Sequence, residues 1–235
     1  MDLTERPRLV ARAAGVFYLV IIATAVFAYM VVRGQVIIPG DMPRTAANLV
    51  AHERLYRLGF SSAVVTVVCN PPMGLALYEL LKVVNPRVAL LALVSITVST
   101  TIEAVNLFNY ISPLFTVTLP EYRAAFEPSQ LQALARGSIR LFGYGFSVSL
   151  SFFGIFCALI GFLIVRSTFL PRSIGFLMIA AGVCYWIDNL VLFLALPRIP
   201  NIVLVSFVAE ASLALWLLIA GVNEVKWRAR VPSHE

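Results

Sequence analysis

The sequence contains six apolar stretches that are each long enough to cross a lipid bilayer, and this feature limits the fold more than any other. A membrane-spanning helix needs about 20 consecutive apolar residues. Backbone groups inside a bilayer must also satisfy their own hydrogen bonds, so such stretches predict helices. We therefore predict an all-α, polytopic membrane bundle of six transmembrane helices, at about residues 13–32, 58–81, 88–111, 141–165, 173–196 and 202–222.

The composition excludes a soluble globular protein. Of the 235 residues, 60% are hydrophobic and 13% are charged, and the mean hydropathy is +0.89. Six spans use most of this length, so we predict a single transmembrane domain over residues 1–235. The first stretch follows three arginines and lacks a small-residue cleavage pattern, which favours a retained span over a signal peptide.

The distribution of arginine and lysine predicts the orientation of the bundle. With six spans both termini lie on one side, and that side carries ten basic residues against eight on the other. The ten lie in tight loops and in short terminal segments, which count most in the positive-inside rule, whereas the eight are diluted over two longer loops. We therefore expect cytoplasmic termini in a cell membrane, with the loops at residues 33–57 and 112–140 facing outward.

Two short helices are predicted within these outward loops. Residues 45–56 and 129–139 each follow a helix-starting residue and then mix apolar with charged side chains. This pattern is typical of helices that lie on a membrane surface.

Three carboxyl groups lie inside the predicted spans, on Glu103, Asp188 and Glu210. An ionisable side chain at membrane depth costs at least about 2.5 kcal/mol on insertion scales, so it needs a partner or water and is the default indication of function. Counting from the span ends places all three acids in the outward half of the bilayer.

Polar side chains at helical spacing form a stripe on each of four spans. In chain order the stripes consist of Ser99, Glu103, Asn106 and Tyr110; Arg140, Tyr144, Ser147 and Ser151; Tyr185 and Asp188; Ser206 and Glu210. In lipid the favourable direction for such stripes is inward, so we expect them to surround one outward-open polar chamber. Its predicted ligand-binding residues are Glu103, Asn106, Tyr110, Arg140, Tyr144, Asp188 and Glu210.

A structural role is the alternative for each of these polar residues. Acids, amides and arginines inside a membrane can hold helices together, with Arg57 or Arg140 neutralising a carboxylate. For a single residue this alternative is the stronger one. For the three acids together a functional role is favoured over a structural one, because they lie at one depth and have few basic partners.

Small residues at regular spacing predict close packing between helices. The pattern occurs on the fourth span at Gly154, Ala158 and Gly161, and on the fifth at Gly175 and Gly182.

Missing residue types exclude several kinds of site. The histidines, His52 and His234, lie in a loop and in the tail, which argues against haem or a histidine metal site inside the bundle. No lysine lies in the middle of a span, which argues against a retinal Schiff base. The sequence does not indicate which cofactor, if any, the protein binds. Residues 145–149 lack the second glycine of a nucleophile elbow, so no catalytic residue is predicted. No basic run is long enough for nucleic-acid binding.

A set of motifs runs through nearly the whole chain, and its most specific part covers the fourth span, the next loop and the fifth span. That part consists of Phe152-Phe153-Gly154, Cys157, Gly161, Ser167, Phe169-Leu170-Pro171-Arg172, Gly175, Ala181-Gly182, Tyr185 and Asp188. Further pieces are Ala13-Ala14-Gly15, Gly40-Asp41, Arg57-Leu58-Gly59, Glu210 and Leu215-Trp216-Leu217. These motifs resemble a bacterial family of integral membrane proteins, domain of unknown function 4386. The resemblance implies six helices in a bacterial cytoplasmic membrane and transfers no activity.

Three functions remain open on the sequence. The first is binding of a small polar or amphipathic ligand, including a lipidic one, with proton exchange at one of the acids as an option. The second is an accessory subunit that packs against a larger membrane protein or pigment assembly. The third is an intramembrane enzyme that modifies a lipid or isoprenoid by acid catalysis. Without a metal motif or an activated nucleophile the third ranks last, so the sequence favours a non-enzymatic protein.

Overall fold

The computed structural model describes residues 6–197 and 202–231, and every regular element in these ranges is a helix. Six helices are long and apolar enough to cross a membrane, as predicted: α1 Pro7–Val36, α3 Glu53–Leu81, α4 Pro86–Thr118, α6 Pro128–Ser167, α7 Arg172–Phe193 and α8 Ile202–Ile219. Three are short: α2 Met42–Ala51, α5 Pro120–Ala125 and α9 Glu224–Arg228. Arg198, which contributes to the orientation argument, and His234 lie outside the described residues.

Proline and asparagine define several helix starts. Proline is the first residue of α1, α4, α5 and α6, a position where its missing N–H group costs nothing. Asn85 precedes α4 and accepts hydrogen bonds from the N–H groups of Arg87 and Val88, each at 3.1 Å. Asn223 caps α9 in the same way through the N–H group of Lys226. Apolar stretches do not define where a helix begins, and these prolines and asparagines do.

The structure corrects the bounds of both predicted surface helices. Residues 129–139 form the first turns of α6 rather than a separate helix, because no proline separates Ile139 from the apolar stretch that follows. In the other loop α2 ends at Ala51, and Glu53 already begins α3, so Tyr56 belongs to a spanning helix.

The chain divides into two compact units. The first consists of the described residues of Met1–Val20, Val68–Thr101 and Ser147–Glu235, and the second of Ile21–Val67 and Ile102–Phe146. Four helices, α1, α3, α4 and α6, contribute a segment to each unit. The single domain over residues 1–235 stays a prediction.

The first unit is packed through glycines. A Cβ atom on Gly161 would lie 2.6 Å from the carbonyl oxygen of Gly175, and one on Gly182 would lie 2.5 Å from that of Gly154. Atoms at such distances overlap, so only glycine fits at these contacts between α6 and α7. The predicted close-packing positions are therefore confirmed.

The core of the second unit is aromatic. The rings of Tyr56 and Tyr110 stack with their centroids 4.9 Å apart, and the ring of Phe142 meets Tyr110 edge-on at 5.5 Å. Phe146 in turn stacks on Phe142 at 5.8 Å. Offset and edge-on pairs of this kind add to the free energy gained from burial.

Candidate functional site

A π-helical segment in α1 shapes the core of the second unit. It covers Val26–Val32, and the N–H group of Arg33 bonds to the carbonyl oxygen of Ala28, five residues back. The hydroxyl group of Tyr110 donates to the same oxygen at 3.2 Å. Short π-helical segments frequently occur at functional sites. This segment carries Tyr29 and ends directly before Arg33.

Tyr29 provides the hydrogen-bond partner of Glu103. Its hydroxyl group donates to Oε1 of Glu103 at 2.6 Å, and Glu103 is only 7% exposed. The Tyr29 ring also contacts Phe146 and Phe142, with centroid distances of 4.8 and 5.8 Å. In the described part of the chain no lysine or arginine forms an ion pair with Glu103.

Arg33 lies over the same aromatic rings. Its guanidinium carbon is 4.1 Å from the ring centre of Phe142 and 5.3 Å from that of Tyr110. Nη1 of Arg33 is buried and makes no hydrogen bond of ordinary geometry to a described residue, although the hydroxyl group of Tyr56 lies near the guanidinium group. The rings stabilise the cation, but a buried donor without an acceptor costs free energy. We call Tyr29, Arg33, Glu103, Tyr110 and Phe142 the Glu103 cluster.

Two of the residues predicted for ligand binding are engaged by the protein itself. Asn106 is buried and donates from Nδ2 to the carbonyl oxygen of Phe142 at 2.9 Å, while its Oδ1 accepts from Asn109 at 3.1 Å. Tyr110 is fully buried, and its carbonyl oxygen accepts from the hydroxyl group of Tyr56 at 2.6 Å. These bonds join α3, α4 and α6 around the cluster, and the bond from the Tyr110 hydroxyl group to Ala28 adds α1.

The stripe on α6 faces inward only in part, because Ser147 is buried and Ser151 accepts a hydrogen bond from Asn189, whereas the other two members are exposed. Arg140 is exposed, and Tyr144 is 50% exposed. Phe142 is buried instead and packs against Tyr29 with Phe146. A face of bulky rings buries more apolar surface than the polar stripe could, so the helix turns that face toward the core.

The first unit contains a second buried acid and tyrosine pair. Tyr185 on α7 donates from its hydroxyl group to Oε1 of Glu210 on α8 at 2.5 Å. Tyr18 is fully buried, and its hydroxyl group lies near the carboxyl group of Glu210 without a hydrogen bond of ordinary geometry. Cys157 is also fully buried near this acid. We call Tyr18, Cys157, Tyr185 and Glu210 the Glu210 cluster.

Asp188 does not join either cluster. Its side chain is half-buried, and its carboxyl group hydrogen-bonds no described residue. The neighbouring Asn189 is buried and donates from Nδ2 to Oγ of Ser151 at 3.1 Å. Glu103 and Glu210 each bind a tyrosine of their own unit, and the single polar chamber expected around the three acids stays a prediction.

Comparison with known proteins assigns the chain to a family. Residues 13–221 match the family described as Domain of unknown function (DUF4386). The protein belongs to this family. No curated protein and no solved structure matches the chain. The DUF4386 match confirms the resemblance found in the sequence motifs and brings no activity with it.

Sequence reasoning missed the partners of the acids in this DUF4386 member. Tyr29 and Arg33 lie one helical turn apart on α1, and this spacing places them on one face. This spacing could have indicated that the two side chains act together. Arg33, however, directly follows the predicted span, where a basic residue is usually an anchor at the membrane surface. Tyr18-Leu19 is one of the pieces that carry the family resemblance, but no spacing in the sequence connects Tyr18 with Glu210.

Proposed function

We propose that the protein binds a small amphipathic molecule at the Glu103 cluster, with an acceptor oxygen of the ligand on Nη1 of Arg33. One observation carries this proposal: the buried Nη1 makes no hydrogen bond of ordinary geometry to any described residue. A donor left unsatisfied in the folded protein costs about 1–3 kcal/mol, and more when it is charged. A ligand oxygen at this position would remove that cost.

The surroundings of Arg33 support an amphipathic ligand rather than a fully polar one. The rings of Phe142 and Phe146 provide apolar surface beside the guanidinium group. Glu103 uses only Oε1 toward a described residue, so Oε2 is available for a donor group of the ligand. A pocket of mainly aromatic surface with a few directed polar groups is typical of small-molecule sites.

The remaining residues predicted for ligand binding divide into two groups. Asn106 and Tyr110 hold the helices around the cluster, as their hydrogen bonds indicate. Arg140 and Tyr144 are exposed, and Asp188 and Glu210 belong to the first unit, so we leave these four residues out of the proposed site.

We place the protein in a bacterial cytoplasmic membrane with both termini in the cytoplasm, so that Arg33 lies toward the outer surface. The family resemblance and the basic residues in short loops support this orientation. Single cysteines at exposed positions test it: a membrane-impermeant maleimide added to intact cells should label Arg44→Cys but not Arg172→Cys. The reverse labelling would invert the orientation.

Binding of two amphiphiles with the same chain length tests the proposed site. The protein in nanodiscs is titrated with radiolabelled dodecanoate, which offers a charged acceptor, and with dodecanol, which offers a neutral one. We expect Arg33→Gln to weaken binding about 10- to 100-fold, because a hydrogen bond to a charged group contributes about 1.5–3 kcal/mol. Glu103→Gln should remove any dependence of binding on pH, which tests the option of proton exchange.

Matched controls come from the same unit. Arg57 and Glu53 form an exposed ion pair with 2.8 Å between Nε and Oε1, so Arg57→Gln and Glu53→Gln change the same residue types away from the cluster. Binding that falls equally in the controls, or that is absent for both amphiphiles, contradicts the proposal. A protein that copurifies in stoichiometric amount would instead favour the accessory-subunit function.

A further inference from the structure

A basic pocket lies in the first unit. It has a volume of about 590 Å³, and three arginines line it: Arg166 from the last turn of α6, Arg172 from the first turn of α7, and Arg230, just after α9. Its charge is therefore strongly positive.

None of the three guanidinium groups has a carboxylate partner among the described residues. The ion pairs found among the described residues join Arg8 to Glu224, Arg57 to Glu53 and Lys82 to Glu79. None of them involves an arginine of the pocket. The pocket therefore concentrates positive charge that the described part of the protein does not neutralise, which favours an anion.

The pocket is held in place by the structure around it. Trp227 of α9 donates from Nε1 to the carbonyl oxygen of Leu80 at 2.9 Å, and the N–H group of Asn223 bonds to the carbonyl oxygen of Phe169 at 3.3 Å. These bonds fix the segment that carries Arg230. The guanidinium carbon of Arg166 lies 4.7 Å from the ring centre of Phe162, which orients that side chain.

Apolar side chains form the remaining wall. Val84, Val165 and Phe176 line the pocket beside the arginines, and Phe176 is 61% exposed. Because Arg166 and Arg172 lie at the ends of spanning helices, the pocket is at the level of the lipid headgroups. A phosphate group fits the arginines, and acyl chains fit the apolar wall.

We propose that this pocket binds the phosphate group of an anionic phospholipid. Arginine guanidinium groups match phosphate oxygens with two parallel hydrogen bonds, and basic pockets between membrane helices bind anionic headgroups. The apolar wall distinguishes a lipid from free phosphate. The site is independent of the ligand proposed for the Glu103 cluster.

Native mass spectrometry of the full-length protein tests the assignment. The protein is released from nanodiscs that contain phosphatidylcholine alone or with phosphatidylglycerol, and the retained lipids are counted and titrated. We expect one phosphatidylglycerol molecule to be retained over phosphatidylcholine. The triple variant Arg166→Gln, Arg172→Gln and Arg230→Gln should bind it roughly 100-fold more weakly, since each basic residue near an anionic surface contributes about fivefold.

The matched control removes the same charge elsewhere. Arg44, Arg123 and Arg136 are exposed residues of the second unit, and their replacement by glutamine should leave retention unchanged. If both triple variants lose phosphatidylglycerol equally, the effect comes from net charge alone, and the proposed binding in this pocket is overturned. If the first triple variant fails to fold, Arg166→Lys and Arg230→Lys are tested singly, and each must weaken retention while the protein stays folded.

Inorganic phosphate separates the two sources of the anion. Phosphate is added to the lipid-bound protein in detergent, at the same molar concentrations as the phosphatidylglycerol. Failure of phosphate to displace phosphatidylglycerol supports a lipid site, because the acyl chains then contribute to binding. Equal displacement by phosphate, or equal retention of phosphatidylcholine, overturns the proposal of an anionic phospholipid.

Discussion

The two units contain the same pair of groups, a glutamate that accepts a hydrogen bond from a tyrosine, but in different surroundings. Glu210 lies with the fully buried Tyr18 and Cys157 in a unit whose helices meet through glycines. Glu103 lies among aromatic rings, next to a π-helical segment and a cation with an unused donor. Both acids are 7% exposed, so burial does not distinguish them.

This difference teaches that an acid inside a membrane is not sufficient evidence of a binding site. Such acids can be partnered entirely by the protein, and then they hold helices together. What separates the Glu103 cluster is the kind of polar atom that lacks a partner in the described chain: it is a cationic donor, Nη1 of Arg33, whereas in the Glu210 cluster it is the neutral hydroxyl group of Tyr18. Single substitutions in each unit test this distinction.

Glycine replacement should disrupt the first unit most strongly. In Gly182→Leu the added side chain collides with the carbonyl oxygen of Gly154, so we expect a loss of about 3 kcal/mol in the free energy of unfolding. Gly143→Leu on α6 is the control, because nothing lies within 4 Å of its Cβ position. Unfolding in mixed micelles measures both, and equal losses would show that the glycine contacts are not what orders this unit.

Loss of the tyrosine donor should destabilise the Glu210 cluster. Tyr185→Phe keeps the ring contact with Phe153 but leaves Oε1 of Glu210 without its donor. A buried acceptor without a partner costs about 2 kcal/mol. Tyr144→Phe, at a 50% exposed position, should change the free energy of unfolding by less than about 0.5 kcal/mol. If Tyr185→Phe leaves the free energy of unfolding unchanged, the hydrogen bond between Tyr185 and Glu210 does not stabilise the fold.

The equivalent change in the second unit should cost less. Tyr29→Phe removes the donor to Oε1 of Glu103, but Tyr29 is half-buried, so water can replace part of the bond. We expect a loss of about 1 kcal/mol in the free energy of unfolding. A loss as large as that of Tyr185→Phe would erase the difference between the two clusters.

Replacement of Arg33 should leave the unliganded protein nearly as stable as before. Arg33→Met keeps the contact with Phe142 and removes the unsatisfied Nη1, so the lost cation–ring attraction is largely offset. We expect a change within about 0.5 kcal/mol. Thermal unfolding without ligand measures it, with Arg57→Met as the exposed control. A loss above about 2 kcal/mol would make Arg33 structural and remove the main support for the ligand site.

The predictable part of this protein is its set of helices. Apolar length alone gives six spans, because a bilayer leaves the backbone few alternatives, and Pro86 and Asn85 define the start of α4 without reference to any other helix. The close-packing role of Gly161 and Gly182 also follows from local spacing. The prediction of a separate helix at residues 129–139 was wrong. A polar segment continues into the next helix when no helix-ending residue lies between them, and here both form one helix.

The partners of the polar groups were decided by tertiary structure. Tyr29 and Glu103 are 74 positions apart, and Tyr185 and Glu210 are 25 apart, so no local pattern connects them. The direction of the stripe on α6 depended on whether Phe142 or Tyr144 gained more from burial. By itself the sequence determined which segments cross the membrane, since each segment interacts with lipid independently. Which side chains meet depended on how the helices pack, because hydrogen bonds and ring contacts require distances that only the folded chain sets.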